Sequence, residues 1–201
     1  DSLETVLNVK QVLQYLAINI LTGSWDDYRF LKNNFYLYHE PSKDMFHWIP
    51  FDYDNTFGVD WFGENWSTID PYDYANIDGT PRPLTEYIFQ NEKYVNLFSH
   101  FLEFYATQLI NNANLDQRLD SIKTMIYNSV MQDTYYTYDY GFSIQDFENS
   151  FSYSFSNQHV KRGIKEFIQE RSTSLFGQIS YQVAEPYVYN VEQFDSIQLL
   201  N

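Results

Sequence analysis

The chain has 201 residues, 44% of them hydrophobic and 20% aromatic, with 19 Tyr and 17 Phe; this is enough for one domain in which most rings must be buried. A formal net charge of -15 with no basic stripe excludes nucleic acid and anionic membrane as expected partners, and makes a cation the natural guest of any acidic site. The absence of Cys excludes disulfides, thiolate metal sites and cysteine nucleophiles, and no apolar run reaches the length of a membrane span.

In chain order, the first predicted element is a helix. Asn8 can cap it with Gln11 at N3, Leu13, Leu16, Ala17 and Ile20 recur at helical spacing, and Gly23 ends it. Asn34 to Tyr38 and Met45 to Ile49 are aromatic-rich runs, separated by the turn-forming His39-Glu40-Pro41-Ser42-Lys43-Asp44, and so predict a β-hairpin. Residues 50–83 scatter Pro, Gly, Asp and Trp without a period, which reads as a long ordered loop of the kind that carries function.

Helical spacing returns from residue 84. Tyr94, Leu97, Phe98, Phe101, Leu102, Tyr105 and Leu109 form one apolar stripe, and His100 on this helix is expected to be partly buried. Leu115, Leu119, Ile122, Met125 and Ile126 form a second, with Asn114 as N-cap and Gln117 at N3. Both stripes are expected to be core. Residues 135–157 read as a polar-aromatic connector with a short helix begun by Ser143, followed by a last helix over His159 to Gly177. Residues 1–180 are thus expected to form one domain, with 181–201 an extended tail or linker. The fold class expected is α+β, mostly helical with one small hairpin.

The chemistry concentrates in residues 22–58. A hairpin returns to its starting end, so Asn33 and Asn34 before its first strand can sit beside Asp52 and Asp54 after its second, with Asp26 and Asp27 entering from the preceding loop. Oxygen-only ligands of this kind suit Mg²⁺ or Mn²⁺. Phosphoryl transfer needs one Asp to orient or deprotonate the acceptor hydroxyl, and an Asn and a second Asp to hold the metal that bridges the phosphates. Here Asp26 or Asp27, Asn34 or Asn33, and Asp54 or Asp52 follow in that order. Taken singly, each has a simpler role as a helix cap, a turn former or a ligand to a structural Ca²⁺. The four His, at 39, 47, 100 and 159, lack metal-ligand spacing, and no spacing selects a glycosidase pair of carboxylates.

The phrases Tyr15-Leu16-Ala17-Ile18-Asn19-Ile20-Leu21-Thr22-Gly23-Ser24-Trp25-Asp26-Asp27-Tyr28, Asn34-Phe35-Tyr36-Leu37-Tyr38 and Phe46-His47-Trp48-Ile49-Pro50-Phe51-Asp52-Tyr53-Asp54-Asn55-Thr56-Phe57-Gly58 closely resemble the CotH kinase family. The late stretch from Asn157 through Arg171 and Leu175 resembles the family's closing helix. The resemblance spans roughly residues 1–180, with Ser24 standing where the family more often has Asn. It implies a kinase-like C-terminal lobe that uses ATP and a divalent metal to phosphorylate Ser or Thr on extracellular or cell-surface proteins. It also implies Asp26 as the catalytic residue, with Asp27 as competitor. Asn34 and Asp54 are then the metal ligands, with Asp52 as competitor.

A kinase further needs a phosphate-gripping Lys on an early strand, whereas Lys10 and Lys32 fall in a helix start and a loop. The expectation is therefore that this chain carries the metal end of the site and transfers nothing alone. The rival expectation is a non-catalytic surface or adhesion module with at most a structural cation. It would make contact through the aromatics of residues 61–76, though packing over the active-site loop suits those rings better.

Overall fold

The computed structural model describes residues 2–74, 78–138 and 140–182. Among them are helices α1 (Val9–Thr22), α2 (Pro83–Phe89), α3 (Glu92–Gln108), α4 (Asn112–Gln132), α5 (Ile144–Ser150) and α6 (Ile164–Gln178), and one antiparallel pair, β1 (Phe35–Glu40) and β2 (Met45–Pro50). The protein is mostly helical α+β, as its sequence predicts. No described helix is long and apolar enough to cross a membrane.

Helix α1 is the central element. The Asn8 side chain accepts from Gln11 N at 3.1 Å, closing the first turn. At the other end Gly23 adopts φ +65°, and its N–H reaches the carbonyls of Asn19 and Ile20. A Cβ there would lie 2.5 Å from Phe167 Cζ, so the stop requires glycine twice over. Between these caps Val12, Leu13, Leu16, Ala17, Ile20 and Leu21 are buried, and α1 lies along α3, where Tyr94, Phe98, Phe101 and Leu102 supply the facing core. His100 is exposed on the opposite face of α3. Its expected partial burial is overturned because the neighbouring Ser99, Phe101 and Leu102 take the core-facing positions.

The hairpin pairs Phe35 with Pro50 through Glu40 with Met45. Its inner face is held by Phe35 stacked on the buried Trp48, with ring centroids 4.3 Å apart, and Tyr28 meets both edge-on. The segment before α1 runs beside β2, with Phe46 N donating to Val6 O and Asn8 N to Phe46 O.

Residues 51–82 form no helix or strand among those described. Such a stretch has many carbonyls and no ladder to satisfy them. Two buried guanidiniums, each with several fixed donors, take that part, and a third ties the end of the stretch to residues 28–30. Arg29 donates to Pro71 O and Tyr72 O, Arg171 to Ser67 O and Ile69 O, and Arg82 to the carbonyls of Tyr28, Arg29, Phe30 and Thr80. Arg29 also lies over the Tyr74 and Phe89 rings. Among the described residues of the loop, Trp66 and Tyr74 are buried, while Phe51, Trp61 and Phe62 present exposed rings.

Three expectations are corrected in the second half. Helix α4 buries no residue: Ile122 and Met125 are exposed and Leu115, Leu119 and Ile126 half-buried, because its neighbours are mainly the short α5 and one face of α6. Its cap is Asn111, whose side chain accepts from Asn114 N, and not Asn114 itself. Helix α6 begins at Ile164, not His159, because Asn157 and Val160 bond each other and Lys161 N bonds Gly58 O, which keeps this segment extended. The short helix opened by Ser143 is present, with a full capping box to Asp146. Of the expected tail, Tyr181 donates to Glu103 Oε2 at 2.5 Å, and residues 183–201 lie outside those described.

Candidate functional site

The base of the hairpin brings Asn34 next to the stretch that carries Asp52 and Asp54. Phe51 N donates to Asn34 O at 3.1 Å, one step beyond the Phe35–Pro50 pair, so Asn34 stands opposite the start of the Asp52–Gly58 stretch. Asn34 and Asp52 both adopt φ +54°, the left-handed region that Asn and Asp tolerate best among side-chain-bearing residues. Each turns the chain sharply out of its strand. Asp52 and Asp54 are exposed and the intervening Tyr53 is turned inward. Because Asp52 is not extended, simple strand alternation does not apply to the pair.

The two loop carboxylates separate clearly. Asp27 is 2% exposed and saturated from within: Asn19 Nδ2 donates to Oδ2 at 2.8 Å and Phe30 N to Oδ1 at 2.9 Å. Burial pushes its carboxyl up to about 6, against the opposing pull of these hydrogen bonds and of Arg29. The Arg29 guanidinium is lowered to about 10 by the same burial. Asp26 is only half-buried, and accepts Asn33 Nδ2 at 3.0 Å through Oδ1. Asp26 is thus the more accessible of the two carboxylates, and Asp27 the one whose hydrogen bonds hold the loop.

Several anchors escape the sequence reading. Asn19, 1% exposed, also accepts the Tyr53 hydroxyl through Oδ1 at 2.8 Å. Phe57 N donates to Thr22 O at 2.7 Å, and Trp25 Nε1 to Val59 O at 2.8 Å. Each joins the end of α1 or its following loop to the 52–59 stretch. The signal for Asn19 was present: a polar residue inside the almost continuous apolar run Leu13–Leu21 needs a buried partner. Tyr53 resists ionisation, first because it is buried and then because Asp27 is near.

For a divalent cation, the informative atom is Asn34 Nδ2, which is buried without a hydrogen-bond partner. A half-turn of that amide puts its oxygen in the same place, where a hard cation would satisfy it. Among the described residues no three His, Asp or Glu converge as a metal cluster. Asn34, Asp52 and Asp54 offer oxygen donors, the kind a hard cation such as Mg²⁺ would take together with water and phosphate oxygens. His39 and His47 pair with Asp44 and Glu40, away from this set, and His159 stacks on Trp61. Beyond Gly58, whose φ of +97° and contact with Arg162 leave no room for a Cβ, lies a cleft of about 290 Å³ lined by Asp60, Glu64, Ser67, Lys161 and Arg162. The Asp60 carboxylate is occupied by the N–H groups of Phe62, Gly63, Glu64 and Trp66.

Compared with known protein families, residues 1–175 match the family described as CotH kinase protein. A search of curated proteins gave no match.

Proposed function

The chain belongs to the CotH kinase family, and from that premise we propose that it carries the metal-binding and acceptor-activating part of a protein kinase. The reaction is transfer of the γ-phosphoryl of ATP to Ser or Thr hydroxyls of secreted or surface proteins. One observation carries the reading: the hairpin base bonds the backbone of Asn34, whose side-chain nitrogen is buried without a partner, to Phe51 at the start of the stretch that bears Asp52 and Asp54.

In this reading Asn34 and Asp54, with Asp52 as the alternative carboxylate, hold Mg²⁺ or Mn²⁺. The ion supplies neutralisation of the phosphate charge. Asp26 uses Oδ1 for Asn33 and offers Oδ2 to the acceptor hydroxyl. As the acceptor oxygen bonds to the γ-phosphorus and the bond to the β-phosphate oxygen breaks, the hydroxyl proton passes to Asp26 and ADP leaves. Tyr36 and Phe51, exposed and in tilted ring contact at 5.5 Å at the same hairpin end, offer an apolar surface to the purine.

The test is transfer of labelled phosphate from ATP in the presence of Mn²⁺ by the full-length protein, with Asp26→Ala and Asp54→Ala alongside. Loss of transfer in both is expected; transfer that survives both overturns the roles. Calorimetric titration of the chain with Mn²⁺ addresses the site alone, and a flat trace would favour the non-catalytic surface module.

A further inference from the structure

We infer that Asn19 is the positioning residue of this site: one buried amide sets the Asp26 loop and the Asp52–Asp54 turn at a fixed separation, through Asp27 on one side and Tyr53 on the other. The inference rests on the metal-site reading above. Asn19 lies in the last turn of α1 and is 1% exposed. Its Nδ2 donates to Asp27 Oδ2 and its Oδ1 accepts from Tyr53, each at 2.8 Å.

The amide can point only one way. An ionised carboxylate accepts and cannot donate, so Nδ2 must face Asp27; Oδ1 is then left for a donor, which the Tyr53 hydroxyl supplies. No apolar residue could make either bond, and an Asp at position 19 would set two acceptors face to face. The consequence at the site is directional. Asp27 and Asp26 are neighbours in the chain, so holding Asp27 inward leaves Asp26 at the surface of the same loop. Tyr53 stands between Asp52 and Asp54, and holding its ring inward leaves both carboxylates exposed. The two further ties, Phe57 N to Thr22 O and Trp25 Nε1 to Val59 O, fix the far end of the turn but act on neither carboxylate pair.

The decisive variant is Tyr53→Phe, which removes one hydroxyl and keeps the ring. Mn²⁺ binding is read by electron paramagnetic resonance, and Tm is measured without metal. We expect the Mn²⁺ Kd of Tyr53→Phe to rise about threefold to tenfold, the value of one lost hydrogen bond. A residue that only stabilised the fold would lower Tm and leave the Kd of the folded protein unchanged, so an unchanged Kd overturns the inference whatever Tm does. Asn19→Leu and the double variant complete the cycle: a double variant no weaker than Asn19→Leu supports the relay, and additive losses overturn it. If Asn19→Leu does not fold, Tyr53→Phe decides alone. Failure of the underlying reading looks different, because then the unaltered chain itself binds no Mn²⁺.

Discussion

Helices α1 and α4 are both amphipathic in sequence, and the structure treats them in opposite ways. α1 has 14 residues and buries ten of them; α4 has 21 and buries none. The difference lies in what surrounds each. α1 is enclosed by α3, β2 and α6, whereas α4 packs mainly on α5 and α6 and less extensively. Every element of the candidate site hangs from the enclosed helix: Asn8 ties it to the hairpin strand, Asn19 to both acidic segments and Thr22 to Phe57. A site built from loops needs a rigid support, and α1 provides it.

The comparison breaks most severely at the arginine staples. Arg82→Met would leave the carbonyls of Tyr28, Arg29 and Phe30 without their donor beside the Asp26 loop. A loss of about 4 kcal/mol in urea unfolding is expected, from buried acceptors left unsatisfied. Next comes the packing of α1 itself. Leu13 is fully buried, and Leu13→Ala is expected to cost about 3 kcal/mol by the same measurement, since the tight surround cannot collapse onto the cavity.

These two residues also show what could be read in the chain. Leu13 was legible, because period and caps are local: Asn8, Gln11 and Gly23 mark the ends of α1, and the Pro-Ser-Lys-Asp turn marks the hairpin. Arg82 was not. Its value depends on three carbonyls more than fifty positions away in the chain, which no local pattern announces. The same reason explains α4, where the stripe of Leu115, Leu119 and Ile122 reveals which face is apolar but not whether anything lies against it. The start of α6 failed differently, for Val160 keeps helical spacing with Ile164 while its backbone is engaged by Asn157. At the site, the residue types and their order were legible. The difference in burial between Asp26 and Asp27, and the two hydrogen bonds of Asn19, emerge only with both loops in place.

A third way to sharpen the comparison uses pH, because burial by α1 leaves its mark on Asp27. Its carboxyl titrates near 6 in the fold against an ordinary 3.8, so between those values the folded chain keeps a proton that the unfolded chain has released. Stability from this group is therefore full below about pH 4 and is lost as pH rises towards 6. Asp27→Asn carries no such titration. The Tm of the unaltered protein, measured relative to that of Asp27→Asn, should fall by roughly 5 °C across this window. A difference that stays level with pH would mean that Asp27 is better solvated than its 2% exposure implies.

The smallest expected effect lies on α4, and it tests the other half of the comparison. Met125 is 74% exposed although it belongs to the helix's apolar stripe. If the stripe were a core face, Met125→Ala would cost about 2–5 kcal/mol, as buried Met truncations do. For a side chain already in water there is little transfer energy to lose, and Ala is the better helix former. Met125→Ala is therefore expected to change unfolding free energy by less than about 0.5 kcal/mol. Paired with Leu13→Ala, it separates two positions that share an amphipathic pattern and differ only in whether another helix covers them.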